Sequence, residues 1–110
     1  MRVPEVRFRG IVEFSGEGPI IAALSATWFP LYRLVISDEM VRVEGRWRLV
    51  RSVLPSRQHD LDALASARLR GTLVLLYFPK DEWWSINAGM KCTTILRELE
   101  SRGVPVRRDA

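Results

Sequence analysis

The sequence predicts a mainly β fold: a small barrel or strongly bent antiparallel sheet of about seven strands, capped by one C-terminal helix. The segments before residue 88 alternate apolar and polar residues with the two-residue period of strands, and turn residues separate them. The clearest helical stripe comes last, where Cys92, Ile95, Leu96 and Leu99 share one face and Gly103 follows as a stop signal. Many strands followed by one closing helix define the expected architecture.

Length and composition fit a single soluble domain covering residues 1–110. The chain is 47% hydrophobic and 27% charged, with a formal net charge of +4. Its single cysteine, Cys92, cannot form an internal disulfide and is expected to face the core. The uncharged stretch from Gly18 to Tyr32 contains prolines and is too short for a membrane-spanning helix, so we expect a cytoplasmic protein without a transmembrane segment.

The individual elements follow from this patterning. Residues 20–29 form an apolar connection whose structure the sequence leaves open, and residues 57–61 read as a turn or a single helical turn. The segment 62–70 has good helix propensity, but its place before Gly71 and an apolar run favours a strand. Predicted strands cover residues 6–14, 31–36, 41–44, 47–53, 62–70, 72–78 and 83–86; the helix covers about 88–102, with Asn87 as N-cap, and a short flexible tail covers 104–110.

In this order the chain resembles the bacterial PH-like proteins, small relatives of the pleckstrin-homology and GRAM domains. The resemblance rests on the hairpin at residues 30–43, on the Trp83-Trp84 pair, and on the helix with Ile95, Leu96 and Leu99. It implies a bent sheet of about seven strands plugged by the C-terminal helix. It also implies a phosphate site near the first two strands, yet residues 13–34 offer Glu13, Glu17 and only Arg33, which argues against the usual phosphoinositide site.

The favoured function is a non-enzymatic binding or scaffold domain that acts through protein contacts or self-association. Trp83 and Trp84 are consecutive, so in a strand one must point inward and the other outward. With Trp28 and Phe29, the outward tryptophan would form an apolar patch for a protein partner or a second copy of the chain. No cofactor is expected.

The alternative function is peripheral binding of an anionic ligand, either a lipid headgroup or a nucleic acid. The densest basic segment contains Arg42, Arg46, Arg48 and Arg51, with Trp47 among them. The strand period places Trp47 on the face opposite Arg46 and Arg48, inside the barrel, which disfavours nucleic-acid binding.

The remaining candidate for chemistry is the group of His59, Asp60 and Asp62. A metal site generally needs three or four ligands from more than one segment, and the sequence offers no second histidine to complete one. A histidine with carboxylates also lacks a nucleophile. We therefore interpret this group as a solvated turn, and predict neither a catalytic residue nor a metal site.

Overall fold

The computed structural model describes residues 5–16, 32–53 and 56–108. Their eight strands form one sheet in the order β4-β3-β2-β1-β7-β6-β5-β8, antiparallel except where β8 runs parallel to β5. No pairing joins β4 to β8 among the described strands, so the sheet is not closed into a barrel. The elements are β1 Val6–Phe14, β2 Tyr32–Ile36, β3 Met40–Gly45, α1 Arg48–Val53, β4 Arg57–Asp60, β5 Ser66–Arg70, β6 Leu73–Tyr77, β7 Trp83–Asn87, α2 Cys92–Ser101 and β8 Val106–Arg108.

Strand β1 joins the two halves of the sheet. Its first half pairs with β2 as far as Gly10, and its second half pairs with β7 from Ile11 onward. A Cβ atom on Gly10 would lie 3.0 Å from Ile86 Cγ2, so the crossover depends on glycine. The sheet is curled, as a contact between its two halves shows: the ring of His59 on β4 stacks on Phe78, which follows β6, with ring centroids 4.4 Å apart.

One core fills the inside of the curled sheet, and α2 packs into it. The predicted stripe of Cys92, Ile95, Leu96 and Leu99 is buried, as expected. Gly103 ends the helix with a φ of +88°, a conformation that glycine adopts without strain. At this end Arg102 pairs with Glu98 and reaches Asp38 in the β2–β3 turn, which ties α2 to the far half of the sheet.

The boundaries of α2 are shorter than predicted. The helix begins at Cys92, after a 3-10 turn over Gly89–Lys91, and ends at Ser101. Asn87 is the last residue of β7 and its side-chain oxygen accepts the Gly89 N–H, but the residue at the N-cap of α2 is Lys91. No helix within the described ranges has the length and apolarity needed to cross a bilayer.

Three other expectations were wrong. Residues 48–53 form helix α1 rather than a strand, and this helix packs on the end of β3 at Gly45. Residues 57–60 form edge strand β4, while β5 begins only at Ser66, after a 3-10 turn over Leu61–Ala63. The expected tail contains β8, because Ala67 donates its N–H to the Pro105 carbonyl and fixes the chain beside β5. Short edge strands carry too few residues for periodicity to identify them.

Candidate anion-binding site

A group of arginines gathers on the outer face of the first half of the sheet. The alternation of β1 buries Phe8 in the core and leaves Arg7 and Arg9 exposed on the opposite face. In the pairing of β1 with β2, Arg9 lies directly opposite Arg33. Two guanidinium groups are therefore placed side by side across neighbouring strands.

The turn between β3 and α1 adds a third guanidinium and an indole to this group. A Cβ atom on Gly45 would lie 2.8 Å from Arg51 N, so glycine allows α1 to turn back closely onto the strand. The Arg46 guanidinium carbon lies 4.5 Å from the centre of the Trp47 ring, in a cation–π contact. Trp47 is 43% exposed, and Leu49 on α1 is 77% exposed. The expectation that Trp47 lies in the core was wrong, because the chain leaves the strand period at this point.

These side chains surround a hollow of about 320 Å³, which we call the first hollow. Partial burial, together with the positive charges of Arg9 and Arg33, lowers the pKa of Arg46 below its ordinary value. An anion in the hollow would relieve that repulsion. The lining residues are Arg7, Phe8, Arg9, Arg33, Arg46 and Trp47; we call the four arginines together with Trp47 the arginine face.

Two carboxylates partly balance this charge. Glu44 pairs with Arg33 at 2.7 Å, and Glu5 pairs with Arg7 at 3.1 Å. No described carboxylate forms an ion pair with Arg9. The arginine face therefore carries a net positive charge at the side chains that line the hollow.

A second hollow, of about 610 Å³, lies on the other side of β1. Arg7 and Arg9 line it as they line the first, so these two side chains form a shared wall. Its far side is formed by the segment after β7, where Lys91 contributes another cation. Next to Lys91, the Met90 side chain is 97% exposed.

The four predicted anion-binding arginines have different surroundings. Arg46 lines the first hollow. Arg42 instead lies 3.6 Å from Glu44 and 3.7 Å from Glu5. Arg48 and Arg51 are exposed on α1 and line neither hollow.

Sequence reasoning missed the larger part of the arginine face: Arg7, Arg9, Arg33 and the neighbouring Lys91. The signal was available for Arg7 and Arg9, which share the polar face of a correctly predicted strand. Their proximity to Arg33 follows only from the strand register, and their proximity to Lys91 only from the β1–β7 pairing.

The aromatic residues predicted to contact a protein partner separate in the structure. Trp84 is fully buried and meets Phe14 edge-to-face, whereas Trp83 is half-buried and pairs with Tyr77 on the outer face of the sheet. The two tryptophans thus point to opposite faces, as the alternation predicted. Trp28 and Phe29 lie outside the described residues.

His59 does not lie in a solvated turn. It points inward from β4, and its Nε2 lies 2.8 Å from Oε1 of Glu82 in the β6–β7 turn. Trp84 Nε1 donates to the other oxygen of Glu82 at 2.9 Å, and Arg57 lies 3.6 Å from that oxygen. We call Arg57, His59, Glu82 and Trp84 the Glu82 cluster. Asp60 and Asp62 are exposed, and the described chain contains no group of three or more metal-ligating side chains.

The Glu82 carboxylate is ionised and held in place. Burial on its own would raise the pKa of Glu82, but hydrogen bonds from Trp84 and His59 and the charges of His59 and Arg57 outweigh it. The pKa of Glu82 therefore lies below its ordinary value. The donors and charges around this carboxylate all come from the chain itself, so the cluster stabilises the fold without a ligand.

No family model matches the sequence, and no curated protein matches it either.

Proposed function

We propose that this chain is a non-enzymatic domain that docks on an anionic membrane surface through the arginine face. One observation carries the proposal. Among the described residues the large hydrophobic side chains that are exposed are Trp47, Leu49 and Met90. Trp47 lines the first hollow, Leu49 follows it by two residues, and Met90 directly precedes Lys91, which lines the second hollow. Cations flanked by protruding apolar side chains are typical of proteins that lie at a lipid–water boundary.

The chemistry of the two kinds of side chain is complementary. Arginines near an anionic bilayer each contribute about 1 kcal/mol of attraction, and they pair well with phosphate oxygens. Trp47 can place its ring at the headgroup level, and Leu49 can enter the apolar layer beneath. A soluble polyanion would gain little from Leu49 or Met90, so these two residues favour a membrane over a nucleic acid.

The proposal keeps the resemblance to PH-like proteins. Seven antiparallel strands followed by helix α2 support that assignment. The proposed docking surface differs from the usual phosphoinositide site, because it lies on the outer face of β1 and β2 and on α1.

Vesicle co-sedimentation tests the proposal. We expect the protein to bind vesicles that contain phosphatidylglycerol and not vesicles of phosphatidylcholine alone, with binding weakened by salt. Replacing Trp47 and Leu49 together by Ala should lower the affinity about tenfold or more, since each removes apolar area from the lipid contact. The conservative pair Trp47→Phe and Leu49→Met should retain binding. Equal binding to neutral and anionic vesicles, or none to either, contradicts the proposal.

Self-association is a second candidate, favoured by the outer face of the other half of the sheet. There Trp83 pairs with Tyr77, and Leu73 and Leu75 lie on the same face of β6; all four side chains are half-buried and stand outside the main core. A second copy of the chain could cover this apolar surface. Sedimentation equilibrium should then show a dimer that Trp83→Ala weakens; a monomer at all concentrations contradicts this candidate.

A further inference from the structure

We propose that the arginine face selects ligands that carry two phosphate groups joined by a short linker, with one phosphate in each hollow. This inference rests on the proposed function and specifies its ligand. It follows from the shared wall: Arg7 and Arg9 line both hollows, so they can contact two anions at once.

The division of the cations between two hollows favours two phosphates over one. Arg7 and Arg9 are two residues apart on one strand face, which separates their Cα atoms by roughly 7 Å. The outer cations divide between the two hollows: Lys91, in the turn after β7, lines only the second hollow, whereas Arg33 on β2 and Arg46 after β3 line only the first. Lys91 on one side and Arg33 with Arg46 on the other are therefore placed to meet two different phosphates.

Each hollow has its own cations in addition to the wall. In the second hollow Lys91 is exposed, and no described carboxylate forms an ion pair with it. In the first hollow Arg46 lies close enough to Arg9 and Arg33 for their positive charges to contribute to its lowered pKa. Phosphate is well matched to both, because arginine binds it through paired N–H donors and lysine binds it as a point charge.

Two kinds of ligand carry two phosphate groups on a short linker. One is a lipid with two phosphodiesters joined through glycerol, of the cardiolipin type. The other is a soluble ester with phosphates on the two ends of a three-carbon chain. The lipid fits better, because Trp47 lines the first hollow and exposed Met90 directly precedes Lys91 of the second.

The test compares vesicles of cardiolipin and of phosphatidylglycerol that contain equal amounts of lipid phosphate in phosphatidylcholine. We expect about tenfold tighter binding to cardiolipin, as a second fixed phosphate contact would give. Lys91→Ala should abolish most of that preference. The matched control is Lys80→Ala at the chain's other lysine, which lies in the β6–β7 turn away from both hollows; it should leave the cardiolipin preference unchanged.

Equal affinity for the two anionic vesicles would overturn the two-phosphate inference and leave the proposed membrane docking intact. A preference that survives Lys91→Ala would overturn it as well. If neither vesicle binds, the proposed function itself fails.

An NMR titration tests the soluble ligand by comparing glycerol 1,3-bisphosphate with inorganic phosphate. Tighter binding of the bisphosphate, with chemical-shift changes at both Lys91 and Arg46, supports the inference. Equal binding of the two compounds contradicts it.

Discussion

The arginine face and the Glu82 cluster both gather cationic side chains, but they balance the charge differently. In the Glu82 cluster Arg57 and His59 surround one carboxylate, which also accepts the Trp84 indole N–H. On the arginine face Glu5 and Glu44 pair with some of the guanidinium groups, and Arg9 has no described carboxylate within ion-pair distance.

This difference separates a structural cluster from a candidate binding surface. A cluster whose donors all meet acceptors of the same chain lowers the free energy of the folded state and gains nothing from a ligand. A surface whose cations repel one another has a free energy that an external anion can lower. The Glu82 cluster is therefore expected to stabilise the fold, and the arginine face is the surface that we propose for binding.

The largest expected effect is the loss of Glu82. Glu82→Ala leaves the indole N–H of buried Trp84 without its acceptor, removes the counter-charge of Arg57 and removes the hydrogen-bond partner of His59 Nε2. We expect the free energy of unfolding, measured by urea denaturation, to fall by about 2–3 kcal/mol. Asp62→Ala, at an exposed carboxylate outside the cluster, is the control and should change stability by less than about 0.5 kcal/mol. Equal effects of the two substitutions would show that the cluster does not stabilise the fold.

A smaller effect distinguishes one arginine of each group. Arg57 lies over the ring of Phe14 at 4.6 Å and beside Glu82, so Arg57→Gln should cost about 1 kcal/mol of stability. Arg9→Gln removes a charge that repels Arg46, and should leave stability unchanged or slightly raised. Thermal denaturation of the two variants at matched ionic strength measures this contrast. If Arg9→Gln destabilises the protein more than Arg57→Gln does, the proposed difference between the two groups is wrong.

The smallest effect is a pH dependence centred on Glu82, whose carboxylate faces Arg57 and His59. Because the folded-state pKa of Glu82 is depressed, its contribution to stability is fully present above the unfolded pKa of about 4.3. The contribution is lost as the pH falls through the folded-state pKa. The stability difference between the wild type and Glu82→Gln should therefore be present at neutral pH and shrink as the pH falls through the folded-state pKa of Glu82. A difference that grows in acid would contradict the depressed pKa.

The sequence predicted the parts of this fold that have long, regular patterns. Strand β1 matches its predicted bounds, and the β2–β3 hairpin and the apolar stripe of α2 also lie where periodicity placed them. Periodicity was misleading for α1. A segment of only six residues, in which the apolar Leu49 and Val50 are adjacent, is compatible with a helical turn and with a strand. It missed β4 and β8, which are edge strands of four and three residues with charged side chains.

The candidate site was predicted only in part, since it depends on which strands become neighbours. Arg46 was identified from local charge density, but Arg9 and Arg33 are 24 positions apart in the sequence and meet only through the β1–β2 register. His59 and Glu82 likewise meet only because the sheet curls, so His59 could not be distinguished from a solvated residue beforehand. Local sequence patterns carry no information on contacts of this range.

Charge reversal on the arginine face tests the central claim most directly. The double variant Arg9→Glu and Arg46→Glu is compared with Arg70→Glu and Arg97→Glu, which changes the net charge equally at exposed positions outside both hollows. In co-sedimentation with phosphatidylglycerol vesicles, we predict that the first pair abolishes binding and that the second retains most of it, with both variants folded by circular dichroism. Equal loss of binding in the two variants would show that net charge, and not the arginine face, directs the protein to anionic membranes.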